Sequence, residues 1–215
     1  MADRPLMPYG YVALEGLIGA GKTTLAMRLA AEWDAELVLE EFADNPFLPR
    51  FYMEPARYAF SLELSFLAQR YHQLKRVGER NLFQPITVAD YSIGKSQVFA
   101  SVTLPPDELA LFRDLYAIMY AGLPRPDLLV YLHTPMAMVE QRIRSRGRSY
   151  EQHIATEYLA SLQERYLDHL RKLPMVRVLV VDINGHDLLK DADAYARLLR
   201  MITQERGFGH HVERL

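Results

Sequence analysis

The sequence has no cysteine, which excludes disulfide bonds, thiolate metal sites and a cysteine nucleophile. It has no excess of positive charge. The formal net charge of −2 gives no support to duplex nucleic acid or an anionic membrane as the main partner. No apolar run approaches membrane-spanning length, and the start MADRPLMPYG lacks the basic-then-apolar layout of a signal peptide. No internal repeat, low-complexity tract or long linker divides the chain, and no Asn-Lys-x-Asp motif supports a GTP switch. The expectation is one cytosolic domain over residues 1–215, large enough to bury a full core, with neither a nucleic acid polymer nor a membrane as partner.

What is present is organised around Tyr9 to Leu29. This stretch reads as a short apolar strand, a glycine-rich loop and a helix starting near Lys22. Within it, Gly16, Leu17, Ile18, Gly19, Ala20, Gly21, Lys22 and Thr23 match G-x-x-x-x-G-K-[ST], with Thr24 following in the helix. Glycines let the backbone turn tightly and aim N–H groups inward at a polyphosphate, and the helix N-terminus adds its positive dipole end. Lys22 is placed to reach the β/γ-phosphates and Thr23 to ligate Mg²⁺. This predicts a nucleoside triphosphate site at residues 16–23.

Further on, short apolar runs alternate with helical spacing. The predicted strands are Tyr11–Leu14, Leu37–Glu40, Ile86–Ala89, Leu128–Leu132 and Val176–Val181. The expected fold is α/β, a five-stranded parallel sheet covered by helices on both faces, with ligands bound beyond the carboxyl ends of the strands.

Acids gather at those ends. Glu40 and Glu41 close the second strand, and because neighbours in an extended segment point oppositely, at most one faces the site. Residues 57–80 read as a long helix with Phe60, Leu64, Leu67, Tyr71 and Leu74 as its core stripe. Glu63 and Arg70, two turns apart on it, fit either a solvated edge or the reading of a polar substrate. Asp90 closes the third strand, as a Mg²⁺-side carboxylate, a helix cap, or both. Residues 142–148 hold four arginines, Arg142, Arg144, Arg146 and Arg148. Cations favour helix C-termini, but beside a phosphate loop they fit a lid that closes over a transferring phosphoryl group, residues 142–151. The tail, residues 206–215, is expected to be unstructured, and its His210 and His211 are assigned no metal.

From Tyr11 to Asp182 this ordered set resembles the deoxynucleoside kinase family: the phosphate loop, EEFADNPFLPRFY, the helix with Glu63 and Arg70, DYS, and RIRSRGRSYE. The resemblance implies an ATP- and Mg²⁺-dependent kinase for the 5′-hydroxyl of a deoxynucleoside, usually a homodimer. It implies Glu40 as general base, Tyr52 on the sugar 3′-hydroxyl, Glu151 as its acidic partner and Arg70 beside the base. Arg142, Arg146 and Arg148 match the lid arginines, Arg144 matches nothing, and Asp90 matches the acid of an Asp/Glu-Arg-Ser motif. The implied catalytic set is Lys22, Glu40, Arg142 and Arg146. ATP falls to residues 16–24 with Arg146 and Arg148, and metal to Thr23 and Asp90.

Three positions depart from the family. Tyr91 replaces the arginine of Asp/Glu-Arg-Ser, and Lys95, one helical turn on, is the candidate to supply that charge. Glu63 stands where many members carry a glutamine that reads the base. An ionised carboxylate only accepts hydrogen bonds, which suits the N1–H and N2–H of guanine and mismatches adenine or cytosine unless a proton is shared. Ser96 replaces an aspartate of the base pocket. Two other readings remain open on these residues: a thymidylate-type monophosphate kinase, and a nucleotide-binding module without catalysis.

Overall fold

The computed structural model describes residues 7–42, 44–77, 86–152, 154–173 and 175–215. In chain order it runs β1 (Tyr11–Gly16), α1 (Lys22–Trp33), β2 (Glu36–Val38), α2 (Phe47–Met53), α3 (Pro55–Val77), β3 (Thr87–Ala89), α4 (Gly94–Thr103) and α5 (Pro106–Tyr120). There follow β4 (Leu128–His133), α6 (Met136–Arg146), a short 3₁₀ turn (Ser149–Glu151), α7 (Thr156–Arg171), β5 (Arg177–Asp182), α8 (Ala192–Thr203) and β6 (Gly209–Arg214). The six strands form one sheet in the order β2-β3-β1-β4-β5-β6, and every pairing is parallel.

The period-two alternation of a strand divides the core. Val12, Leu14, Leu128, Val130, Leu179 and Val181 face one side, where α1 and α8 pack with Leu25, Leu29 and Leu198. Tyr11 and Ala13 face the other side with α3 and α5, and Leu129, Tyr131, Val178 and Val180 join α6 and α7 there. Central strands buried on both faces need continuous apolar runs, and β1 is buried at all six positions.

The sheet has six strands where five are expected. The extra strand is the tail: residues 209–214 pair in register with residues 177–182 of β5. The tail carries no apolar alternation because β6 is a sheet edge with alternating exposure, and Val212 is exposed. It is held from outside its own pattern. Leu215 packs into the core and its N–H donates to Asp182 O at 3.0 Å, while Arg177 Nε donates to Arg206 O at 2.7 Å.

Two other differences bear on the site. β2 stops at Val38 rather than Glu40, because the Glu40 N–H donates to Oδ1 of Asp90 at 2.8 Å instead of joining the ladder. The buried stripe of α3 runs through Leu62, Glu63, Leu67, Arg70, Gln73 and Leu74, so Phe60, Leu64 and Tyr71 lie half-buried. Predicted helix residues 78–80, and Gln84 and Pro85 before β3, lie outside the described residues.

Candidate active site

The loop between β1 and α1 passes so close to its neighbours that side chains are excluded. A Cβ on Gly16 would meet Leu132 O at 3.0 Å and one on Gly19 would meet Val139 O at 3.0 Å, and both have positive φ (147° and 81°). The loop thus wraps the carboxyl edge of the sheet and starts α1 at Lys22. In this structure Lys22 Nζ donates to Gly16 O (2.9 Å) and Leu17 O (2.8 Å), and Arg142 Nη1 donates to Ala20 O (3.1 Å). Burial, with Lys95 nearby, pulls the Lys22 ammonium down to a pKa of about 8 against the pull of Glu15, Glu40 and Asp90.

Asp90 ties three segments together at the end of β3. Its Oδ2 accepts from the Thr23 hydroxyl at 2.5 Å, and its Oδ1 fixes the backbone of Glu40. It does not cap α4, whose N-terminal flanking residue is Ile93. Of the two adjacent acids, Glu40 turns inward and Glu41 is exposed. Glu40 Oε1 accepts from Arg70 Nε (2.9 Å) and Nη2 (2.6 Å), and Oε2 accepts from Lys95 Nζ. Burial alone would push the Glu40 carboxyl up, but Lys95 and Arg70 overcome it and hold the pKa at about 2.

Two of the positions that depart from the family pattern, Tyr91 and Ser96, are accounted for by packing. Tyr91 is fully buried and donates to Gln73 Oε1 at 2.7 Å, while Gln73 Nε2 donates to Leu39 O at 3.0 Å. That chain fixes the segment leading into Glu40. Ser96 accepts from Arg70 Nη1 at 2.6 Å. Ser92, the residue after Tyr91, donates through N and Oγ to the buried Glu15 carboxylate (2.9 and 2.7 Å), which also accepts from Tyr166.

Over this floor lies the arginine-rich segment. Arg146 and Arg148 both pair with the buried Glu151, Arg146 through Nε at 3.0 Å and Nη2, Arg148 through Nη1 at 3.1 Å. Arg148 also covers the ring of Phe42 at 4.2 Å, and Tyr52 stacks on Tyr150 with centroids 5.9 Å apart. Arg144 points away and pairs with Glu140 on the surface.

These groups surround one cavity of about 400 Å³, within the range of small-molecule sites. Ile18 to Thr24, Glu40, Tyr52, Glu63, Arg70, Asp90, Arg142, Arg146, Arg148 and Glu151 line it. Gly16 and Leu17 do not, but support the loop beneath. The apolar wall, Phe66, Phe99 and Tyr158, and the far end with Arg28 and Leu188 also line the cavity and carry no motif in the sequence. Phe66 was findable, because it lies three residues after Glu63 and four before Arg70 on one helix face. Among the described residues no cluster of three or more metal-ligating side chains occurs, and none of the helices is long and apolar enough to cross a membrane.

A glycine loop, a held carboxylate and an arginine cluster around one cavity fit phosphoryl transfer to a small acceptor, and a family model described as deoxynucleoside kinase matches residues 12–205. The chain belongs to the deoxynucleoside kinase family. It is a phosphotransferase that phosphorylates deoxynucleosides, which sets aside the monophosphate kinase and the module without catalysis. It is 35% identical to a deoxyguanosine kinase of Bacillus subtilis over 90% of this chain and 96% of that protein. It is 29% identical to a deoxyadenosine/deoxycytidine kinase of the same organism, over 94% and 96%. The solved structure of deoxyadenosine kinase from M. mycoides with bound dCTP shares the fold, with TM-score 0.75, 22% identity, and coverage of 89% of this chain and 99% of that one.

Proposed function

We propose that this kinase transfers the γ-phosphoryl group of ATP, with Mg²⁺, to the 5′-hydroxyl of a deoxynucleoside with a purine base, in the cytoplasm and as a homodimer. The reading rests on one observation: the Glu40 carboxylate is gripped by Arg70 and Lys95 in a cavity shared with Lys22 and the arginine-rich segment. Glu40 is ionised at any working pH, so it orients the 5′-hydroxyl as an acceptor. It takes the proton late, when the loose transition state has made the attacking oxygen acidic. Lys95 supplies the positive charge that Tyr91 lacks.

The residues from Gly16 to Thr24 cradle the triphosphate, and Lys22 leaves its loop carbonyls for the β/γ-phosphates. Arg142, Arg146 and Arg148 close as a lid over the equatorial oxygens of the transferring group. Thr23 and Asp90 would hold Mg²⁺. A hydroxyl and a carboxylate side by side suit a hard cation that takes one or two protein oxygens and completes its shell with water and phosphate. When bound, the ion neutralises phosphate charge. Tyr52 takes the 3′-hydroxyl with Glu151 as its acidic neighbour, and Glu63 reads the base beside Arg70. For the dimer, α5 offers Leu111 and Ile118, exposed and seven residues apart on one helix face.

The test is phosphoryl transfer from ATP to each of the four deoxynucleosides and to their 5′-monophosphates. Product from purine deoxynucleosides supports the reading; product from monophosphates alone overturns it.

A further inference from the structure

Glu63 is an anomaly in the cavity wall. It is 98% buried in α3 with relative exposure of 2%, and its Oε2 has no hydrogen-bond partner among the described residues. An ionised carboxylate with a bare oxygen is costly in such a place unless a ligand supplies donors. Its other oxygen, Oε1, lies 3.2 Å from the Thr103 hydroxyl, which also lies 3.0 Å from Phe99 O. A hydroxyl has one hydrogen and two lone pairs. Turned to Glu63, it donates to Oε1, either of a carboxylate or of a carboxylic acid whose single proton sits on the bare Oε2. The site is thus built to hold Glu63 in either state.

The surroundings are balanced in the same way. Arg70 on the same helix and Lys95 on α4 favour the charged form, while Glu40 beyond β2 opposes it. Tyr52 from α2 and Tyr158 from α7 face it as neutral phenols, their ionisation suppressed by burial. Glu151 and Arg146 act on Tyr52 in opposite directions. Burial is the largest influence, and the carboxyl is raised to about 7.

The two states present different edges to a base. A carboxylate offers two acceptors, the complement of guanine N1–H and N2–H. A carboxylic acid offers one donor and one acceptor, the complement of adenine N1 and N6–H. We propose that Glu63 selects the purine through its own protonation, taking deoxyguanosine as the carboxylate and deoxyadenosine as the carboxylic acid. This rests on the acceptor site assigned above and adds a proton-dependent choice of substrate to it.

The measurement is kcat/KM for deoxyguanosine and deoxyadenosine from pH 6 to 8, at saturating ATP and Mg²⁺. Titration of Lys22 or any other group shared by both reactions cancels in the ratio. One proton separates the two modes, so the deoxyguanosine-to-deoxyadenosine ratio should rise about tenfold per pH unit, roughly 100-fold over the range. In Glu63→Gln the ratio should be flat. Calorimetry in buffers of different ionisation enthalpy gives a readout without turnover. Near pH 7, binding of deoxyguanosine should release a fraction of a proton and binding of deoxyadenosine should take one up, and both should vanish in Glu63→Gln. A ratio independent of pH, a slope that survives Glu63→Gln, or turnover of a single purine across the range overturns the inference while leaving the kinase intact. Failure to phosphorylate any deoxynucleoside overturns the acceptor-site reading itself, and the inference with it.

Discussion

The Lys95 ammonium donates to Oε2 of Glu40, while Tyr91 lies wholly buried with its hydroxyl on Gln73. In the proposed mechanism the two positions divide the work of one arginine, with Tyr91 anchoring the segment before Glu40 and Lys95 carrying the charge.

That division predicts opposite phenotypes. Lys95→Met should lower kcat about 100-fold and move the acid limb of the pH–rate profile upward, since losing a cation lets the Glu40 pKa rise. Tyr91→Phe should leave turnover within about threefold and cost about 1–2 kcal/mol in urea unfolding, from the unsatisfied Gln73 oxygen. Equal kinetic damage from both would contradict the assignment.

Glu63 makes stability depend on pH without any substrate. A carboxyl whose folded-state pKa is raised stabilises the fold fully below its unfolded value and loses that contribution as pH rises through the folded one. For Glu63, raised from 4.5 to about 7, the loss spans that window and is on the order of 3 kcal/mol. Urea unfolding at pH 5 and pH 8 should show the stability of Glu63→Gln rising relative to wild type at the higher pH. Parallel curves would mean that Glu63 is not perturbed.

The arginine-rich segment contains its own control. Arg146→Ala should reduce kcat by at least 100-fold, because it removes a fork from the lid, whereas Arg144→Ala should change kcat less than twofold. Steady-state kinetics on the pair check this.

Ile118 is three-quarters exposed on α5. If that face joins two copies, Ile118→Glu should convert the dimer to monomer in light scattering across a concentration series, with the far-ultraviolet circular dichroism unchanged.

The parts of the site legible in the sequence were those where chemistry demands a residue type at fixed spacing. Gly16 to Thr23 and the start of α1 at Lys22 needed only local pattern, and the buried runs of β1, β4 and β5 marked the sheet. What stayed hidden depended on distant partners. Glu63 and Arg70 face inward because α4 brings Ser96 and Thr103 over them, which spacing along α3 does not report. Tyr91 reads as a lost cation until Gln73 is seen beside it. The sixth strand carries one exposed valine and two histidines, and its order comes from the β5 ladder and from Leu215, both outside its own pattern.

In the proposed mechanism Glu40 acts on the acceptor hydroxyl and not on ATP. Single-turnover phosphoryl transfer to deoxyguanosine, measured beside ATP affinity, tests it in one variant. Glu40→Gln should lose at least 100-fold in the transfer step while its Kd for ATP stays within about threefold of wild type. Transfer at close to the wild-type rate would contradict the mechanism.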